Sequence, residues 1–369
     1  HSICVTWIST SEKSQSIELS NGNDDIVLIK QSKINKFGDL KYFVHRVLFD
    51  NLNANQRYAA YFPKNKFNKQ LKNKKRFHFK TIAFEKPSEI SFVTGGDMLH
   101  RGVWLDAMNK RAAKLNPNFA VLGGDLAYAN GVNGKRWLKW IDSWAEHAVR
   151  KNGLSIPIIV TIGNHEVQGH FGKTAKEAPY YYSLFSLENN KSNYVVDFGK
   201  YMSFILLDSD HSQKIKEQNS FIEENLKVRN DRDYIFGVYH FPAYGILKSG
   251  LNHPVSKKIH KNWLPYFEKY QLTALFENDH HIYKRSKLIY QGKVNNEKGL
   301  LYIGDGAWGV VTRNLPKGYK NLWYIEKAQS RRHLIYVNLK DNIKTYRAYS
   351  GSGVLLDEFI DQRKRQVSK

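Results

Sequence analysis

The chain has 369 residues, 41% hydrophobic and 25% charged, a balance that excludes disordered and fibrous classes and allows one large domain beside a small one. Its 57 Lys+Arg against 34 Asp+Glu give a formal net charge of +23, a field that draws anionic substrates, phosphorylated or sulfated polymers and acidic surfaces. The single cysteine, Cys4, rules out an intrachain disulfide and a thiolate metal cluster, and no apolar run reaches the roughly 20 residues of a membrane span.

The alternative source of the positive charge is a Lys- and Asn-rich composition with no ligand attached to it. The lysines Lys64, Lys66, Lys69, Lys72, Lys74 and Lys75 are spread out rather than grouped as a nucleic-acid motif. The basic end Arg363, Lys364, Arg365 reads as a frayed terminus. The chain starts at His1 and enters a strand pattern at once, so a processed start is expected, with a signal peptide removed and a secreted or periplasmic location.

Residues 1–84 predict a small all-β sandwich. Ile3, Val5 and Trp7 alternate, Ile26 to Ile29 form an apolar run, Tyr42, Val44, Arg46 and Leu48 recur at period two, and Tyr58, Ala60 and Phe62 come next. Asn21-Gly22-Asn23-Asp24 and Phe37-Gly38-Asp39 are turn signals. The stretch from Tyr42 to Tyr61 resembles the later strands of a fibronectin type III module, whose first strand is then missing. Lys86-Pro87-Ser88 is the expected linker to a second domain, 88–369.

In that second domain apolar strands alternate with helices, the pattern of layered α/β structure. Strands are predicted over 90–93, 119–122, 157–162, 202–207, 234–238, 273–276, 300–303 and 333–337. Helices are predicted over 103–115, 135–151, 213–228 and 255–270. Trp7, Trp137, Trp140, Trp144 and Trp263 fall at strand or helical spacing and are expected in cores.

The chemistry lies in the residues just past the strand ends. Phe92-Val93-Thr94 runs into Gly95-Gly96-Asp97, and Val121-Leu122 into Gly123-Gly124-Asp125-Leu126-Ala127-Tyr128. Val160-Thr161-Ile162 runs into Gly163-Asn164-His165-Glu166; Tyr239 leads to His240; Phe276 leads to Glu277-Asn278-Asp279-His280-His281. Sites in layered α/β folds form at the carboxyl ends of strands, and glycines there permit sharp turns. Any one such Asp is an ordinary turn residue, and Asp97 alone would serve as a helix cap. Five in order are a mixed oxygen and nitrogen ligand set, suited to Fe, Mn, Zn or Mg, with a carboxylate such as Asp125 able to bridge two ions.

These motifs resemble those of the purple acid phosphatases, of the calcineurin-like phosphoesterase superfamily, over nearly the whole chain. Gly124-Asp125-Leu126-Ala127-Tyr128 matches the GDxxY motif, Gly163-Asn164-His165-Glu166 the GNH(D/E) motif, and His240 the single-His motif. His281-Ile282-Tyr283-Lys284-Arg285 resembles the end of GHxH and its continuation. The resemblance implies a four-layer α/β/β/α metallophosphatase fold and two metal ions. One ion falls to Asp97, Asp125, Tyr128 and His281, and is Fe(III) with a tyrosinate colour. The other, Fe, Mn or Zn, falls to Asp125, Asn164, His240 and Asp279. It further implies an acid phosphatase in which a metal-bound hydroxide attacks phosphorus, with His165 stabilising the transition state or protonating the leaving oxygen. The bland role for His165 is to orient a ligand.

Two departures stand out. Leu99 replaces a glycine in the first motif, and His100 after it is a candidate to reach the phosphate. The sequence Asn278-Asp279-His280-His281 puts Asp279 where the pattern has a histidine. Either Asp279 is the ligand or His280 takes over by a register shift; a carboxylate there favours a harder metal than zinc. Further candidates for the substrate pocket are His280, Asp208 and His211 at a strand end, His253 in a polar loop and Trp308 in a glycine-rich loop. The alternatives for these are capping, solvation and core packing. Competing functions are a phosphodiesterase on nucleotides, lipid headgroups or a polymer, and a non-catalytic polyanion-binding protein with an altered metal site.

Overall fold

The computed structural model describes residues 1–22, 25–62, 76–185, 191–247 and 249–366. Asn23, Asp24 and the lysines between 64 and 75 lie outside the described residues. Strands Ile3–Ser9, Phe43–Phe49 and Lys33–Lys36 pair antiparallel in one small sheet. Ile26–Gln31, Ser16–Ser20, Arg57–Tyr61 and Arg76–Lys80 pair antiparallel, in that order, in a second. Val5, Ile17, Leu19, Val47, Phe49, Tyr58 and Phe79 fill the space between them. The run Ile26 to Ile29 behaves differently from a core strand. It is the edge of its sheet, so Ile26, Val27 and Ile29 stay exposed and Leu28 packs partly against the core.

This all-β unit is docked rather than tethered. The turn at Phe37-Gly38-Asp39 sets Phe37 edge-on to Tyr180 at 5.2 Å, and Tyr180 donates its hydroxyl to Asp39. Gly38 has φ +57, and a Cβ there would stand 2.3 Å from the Tyr180 ring. Only glycine meets both conditions.

The rest of the chain builds two larger sheets. The first runs Ile158–Val160, Phe119–Leu122, Glu89–Gly95, His333–Lys340, Ile343–Ser350, Leu355–Asp361, its first three strands parallel. The second runs Tyr194–Phe198, Met202–Leu206, Tyr234–Val238, Ala274–Glu277, Tyr302–Gly304, Tyr283–Ser286, Ile325–Gln329, parallel across its middle. Among the described residues six α-helices accompany them: α1 (Gly102–Lys114), α2 (Gly134–His147), α3 (Pro179–Phe185), α4 (Asn219–Val228), α5 (Pro254–Asn262) and α6 (Leu264–Lys269).

The near-continuous apolar runs in the sequence arise from burial on both faces, with successive side chains pointing opposite ways. Ile90, Phe92, Phe119, Val121, Phe204, Phe236 and Phe276 face the seam between the sheets, where Phe92 meets Phe119, Phe204, Phe236 and Phe276 with ring centroids 5.2–5.8 Å apart. Val93, Ala120, Leu122 and Val160 face the other way, onto Leu105 and Met108 of α1 and Trp137, Trp140 and Trp144 of α2. Ile205, Ile235 and Leu275 face Ile222 of α4, Ile259 of α5 and Phe267 of α6. The layers are therefore α/β/β/α, as the motifs imply. No helix among the described residues is long and apolar enough to cross a membrane.

Three expectations are corrected. The helix predicted over 255–270 is two, because Pro265 sits at the start of α6, where it lacks the N–H to continue a ladder from α5. The helix predicted from 213 begins as a 3₁₀ turn, Ile215–Gln218, before α4. The basic terminus is pinned: Arg363 pairs with Asp361 and donates to the Gly299 carbonyl at 2.7 Å, and Arg365 donates to the carbonyls of Arg232, Tyr270 and Asn230.

His333, the first residue of its strand, is buried with its Nδ1 3.1 Å from the Arg331 carbonyl and its ring edge-on to Tyr283. Burial depresses it from 6.5 to about 4. The neutral ring contributes fully above pH 6.5; between 6.5 and 4 the unfolded chain takes the proton first, so stability is lost as pH falls. Urea unfolding should show the wild type losing on the order of 3 kcal/mol more than His333→Gln across that window.

Candidate metal centre

The strand ends of both sheets converge on one buried cluster. Asp97 and Asp125, each one residue past a double glycine, come from the first sheet, and Asn164 and His165 from the 3₁₀ turn after Ile158–Val160. His240, Asp279 and His281 come from the second sheet, after Tyr234–Val238 and Ala274–Glu277.

Two groups form around Asp125. In one, Tyr128 donates its hydroxyl to Asp97 Oδ1 at 2.9 Å and lies 2.8 Å from His281 Nε2, which is itself 3.0 Å from Asp97 Oδ1. In the other, His240 Nε2 lies 3.1 Å from Asn164 Oδ1, 3.3 Å from Asp125 Oδ2 and 3.7 Å from Asp279 Oδ1. Donor atoms of Asp97, Asp125 and His240 all lie within 4.8 Å of one another. His240 Nδ1 is held by the Gly123 carbonyl at 2.8 Å, which turns Nε2 inward.

The backbone is strained where the candidate ligands stand. Asp97, Asp125, Tyr128, Asp279 and His281 all have left-handed φ, between +52 and +75, a conformation that costs non-glycine residues and gathers at functional sites. Glycines supply closeness as well as turns. A Cβ on Gly163 would stand 2.3 Å from Asp125 Oδ1, and one on Gly306 would stand 1.7 Å from Asp97 Oδ2. Both positions need a bare backbone.

Asp97, Asp125, Asp279 and Asp305 are nearly or fully buried. Among the described residues the side chains of Asp97, Asp125 and Asp305 find histidines but no Lys or Arg within ion-pair distance, and Asp279 lies beside His240 and His280. Burial alone would raise the Asp125 carboxyl, yet His240 and His165 hold it well below the usual carboxylate range. Burial likewise would depress His240, but Asp125, Asp97 and Asp279 push it up to about 10. Burial and the neighbouring Asp97, Asp125 and Asp279 carboxylates keep the Tyr128 hydroxyl protonated well above its ordinary value. So much buried negative charge calls for cations, and the oxygen and imidazole donors fit hard or borderline metals.

His165 stacks on Tyr128 at 4.3 Å, its Nδ1 2.5 Å from Asn130 Oδ1 and its Nε2 3.9 Å from Asp125 Oδ2. His100 lies on the rim, exposed, with Nδ1 accepting from the Val311 amide at 3.2 Å.

Other candidates fall elsewhere. Asp208 is buried as a loop organiser, accepting from Ser192, the His211 amide and Ser212 at 2.6–3.0 Å. His211 is buried behind His240, with rings 5.5 Å apart, and faces Ser209 and the His170 carbonyl. His253 caps α5 and stacks on Phe241 at 4.3 Å. Trp308 is core rather than pocket wall: it is fully buried and donates to Asn109 at 3.0 Å. His280 is buried too, turned toward Asp305. Four of the five, Asp208, His211, His280 and Trp308, are buried within the fold, and His253 is half-buried at the start of α5.

Sequence reasoning passed over Glu166 and Asn130. The Glu166 carboxylate accepts from the amides of Asp125, Leu126 and Gly163 at 2.7–2.9 Å, locking the Asp125 loop to the Asn164 turn. Its signal was its place three residues after Gly163, the spacing at which a Glu caps a turn. Glu166→Ala would strand three buried donors, and urea unfolding should show a loss of roughly 3 kcal/mol, together with weaker metal retention in the dialysed protein.

The sequence profile of the calcineurin-like phosphoesterases matches residues 96–277, while no curated protein matches the sequence significantly. Among solved structures the fold is similar to purple acid phosphatase PPD1 from yellow lupin (Lupinus luteus) seeds: TM-score 0.78, 17% identity, 98% of this chain and 72% of that one. It is similar to PhoD, with TM-score 0.67, 12% identity, and 97% and 87% of the two chains covered. It is also similar to GAP50, the anchor in the inner membrane complex of Plasmodium, with TM-score 0.52, 15% identity, and 77% and 90% covered. The strand ends that gather Asp125, Asn164 and His240 thus lie in a calcineurin-like phosphoesterase domain, and the chain is a phosphoesterase-type hydrolase on the metallophosphatase fold.

Proposed function

We propose that the chain hydrolyses phosphomonoesters with two metal ions. The observation that carries this is Asp125, whose carboxylate lies between an Asp97–Tyr128–His281 group and a His240–Asn164–Asp279 group. One ion would be held by Asp97, Asp125, Tyr128 and His281, the other by Asp125, Asn164, His240 and Asp279. When bound, such ions polarise phosphoryl oxygens and lower the pKa of water toward neutrality.

The chain's own residues supply the rest. His165, whose Nδ1–H donates to Asn130 Oδ1, turns Nε2 toward the cluster; burial lowers its pKa, so Nε2 carries a proton for the leaving oxygen only at acid pH. His100 accepts at Nδ1 from Val311, which leaves its Nε2 proton to bind a phosphate oxygen at the rim. The excess of positive charge favours a dianionic monoester over a monoanionic diester.

Because burial and carboxylates keep the Tyr128 proton on, only a strongly Lewis-acidic ion takes it as tyrosinate, which supports Fe(III) there. Asp279, a carboxylate in the second set, supports Fe or Mn over zinc. Extracytoplasmic placement and a fibronectin type III-like character for the N-terminal unit belong to this proposal through the resemblance alone.

The purified protein loaded with iron and manganese should carry two ions per chain and a visible band that Tyr128→Phe abolishes. It should turn over p-nitrophenyl phosphate faster than the bis ester. Asp125→Asn should cost more than the roughly 10–100-fold typical of a ligand's supporting partner. Preference for the bis ester would make it a diesterase. No turnover with any loaded metal, beside tight binding of a polyanion, would sink the catalytic proposal.

A further inference from the structure

The rim of the centre carries a group of arginines that the proposed chemistry does not use. His100 stands at this rim, its ring 4.5 Å from that of Tyr128 and 5.5 Å from that of His281. The next Cα, about 3.8 Å along the chain, is that of Arg101. This side chain is exposed and lays its guanidinium on Trp104, with Cζ 4.8 Å from the ring centroid. Arg332 reaches the same half-buried ring, with Cζ 4.1 Å from the centroid. Both fall within the reach of a cation–π contact.

Contacts lead from this group back to the centre on the other side. Two residues before Arg332, the Ser330 hydroxyl donates to the Arg313 carbonyl at 2.7 Å. The Arg313 amide donates to the His281 carbonyl at 3.2 Å, and its Nη1 donates to the Asp279 carbonyl at 3.3 Å. An arc thus runs from His100 through Arg101, Trp104 and Arg332 to Arg313, and returns to His281.

The charge on this arc is not answered by the chain. Arg229, Arg285, Arg347 and Arg363 pair with Asp197, Asp357, Glu358 and Asp361. Arg101, Arg313 and Arg332 have no Asp or Glu within ion-pair distance among the described residues. The guanidinium carbons on Trp104 are no further apart than their two ring distances together, inside the roughly 10 Å over which charges are felt at 0.1 M salt. They repel, and the indole face holds them against that repulsion. A stacked guanidinium keeps its planar fork of donors for an oxyanion. Two of them fixed on one ring form a site prepared for a negative group.

We propose that Arg101 and Arg332, stacked on Trp104, bind a second anionic group on the leaving side of the substrate. The preferred ester then has an alcohol that bears a further phosphoryl group. Its reacting phosphate lies at the centre beside His100, and its second lies outward on the arginines. The inference rests on the phosphomonoesterase reading and adds which monoester is taken.

Fructose 1,6-bisphosphate and fructose 6-phosphate differ by one phosphoryl group and serve as the probes. With the metal-loaded full chain, kcat/KM for the bisphosphate should exceed that for the monophosphate about tenfold or more, beyond the statistical factor of its two phosphoryl groups. Arg101→Met and Arg332→Met should each remove most of that ratio, and Trp104→Leu, which takes away the platform, should remove it as fully as the double arginine variant. A merely structural role would slow both esters alike and leave the ratio standing. Arg347→Met removes the same charge from an arginine paired with Glu358 and should keep the ratio; a fall there would assign the preference to overall charge and overturn the site. Near-UV circular dichroism checks folding, and if Trp104→Leu is not folded, the arginine variants decide. Equal kcat/KM for the two esters, or a ratio that neither arginine variant moves, would overturn the proposal. Turnover of neither ester would remove the phosphatase reading instead. Calorimetric binding of the same two esters to the same variants would then decide the site.

Discussion

The structure is organised around an electrostatic problem: four carboxylates, Asp97, Asp125, Asp279 and Asp305, are withdrawn from water into one site, and for Asp97, Asp125 and Asp305 no Lys or Arg side chain among the described residues answers them. Left to themselves such groups would repel one another or take up protons. Histidines answer part of the charge and a pair of cations would answer the rest. The left-handed backbone at five of the candidate ligands and the bare glycines around them are the conformational cost of holding the carboxylates this close.

Rigid support lies directly beneath. Glu277, the last residue of its strand and two before Asp279, is fully buried and takes the Tyr239 hydroxyl at 2.6 Å, the Ala243 amide at 2.7 Å and the ammonium of buried Lys284. Both carboxylate oxygens have donors, so this ion pair is of the satisfied kind. It ties the strand before Asp279 to the strand after His281 and to the loop after His240. Glu166 does the same for the ligands of the first sheet. Each half of the centre is thus set by one buried glutamate.

Much of the site was legible because its residues come directly after apolar strands, and a strand that is buried on both faces announces its end by the first polar residue. Asp97, Asp125, Asn164, His240, Asp279 and His281 are all of this kind. The illegible part depends on which way a side chain turns. Asp208 and His211 also come after an apolar strand, yet their polar atoms are consumed by Ser192, Ser209, Ser212 and the His170 carbonyl. Trp308 belongs to a glycine-rich loop that folds inward, toward Asn109, not outward. The break between α5 and α6 was signalled by Pro265, and apolar periodicity across it concealed the signal. The docking of Arg363 and Arg365 left no trace in the sequence, because their partners are backbone carbonyls 64 and 95 or more positions away.

The division of the proposed ligands between the two sheets has a temporal consequence. By the time residue 166 has been made, the chain holds Asp97, Asp125, Tyr128 and Asn164 but neither His240 nor His281, and the seam of phenylalanines that brings the sheets face to face does not yet exist. The two-ion site proposed for these residues is therefore complete only once both sheets have come together.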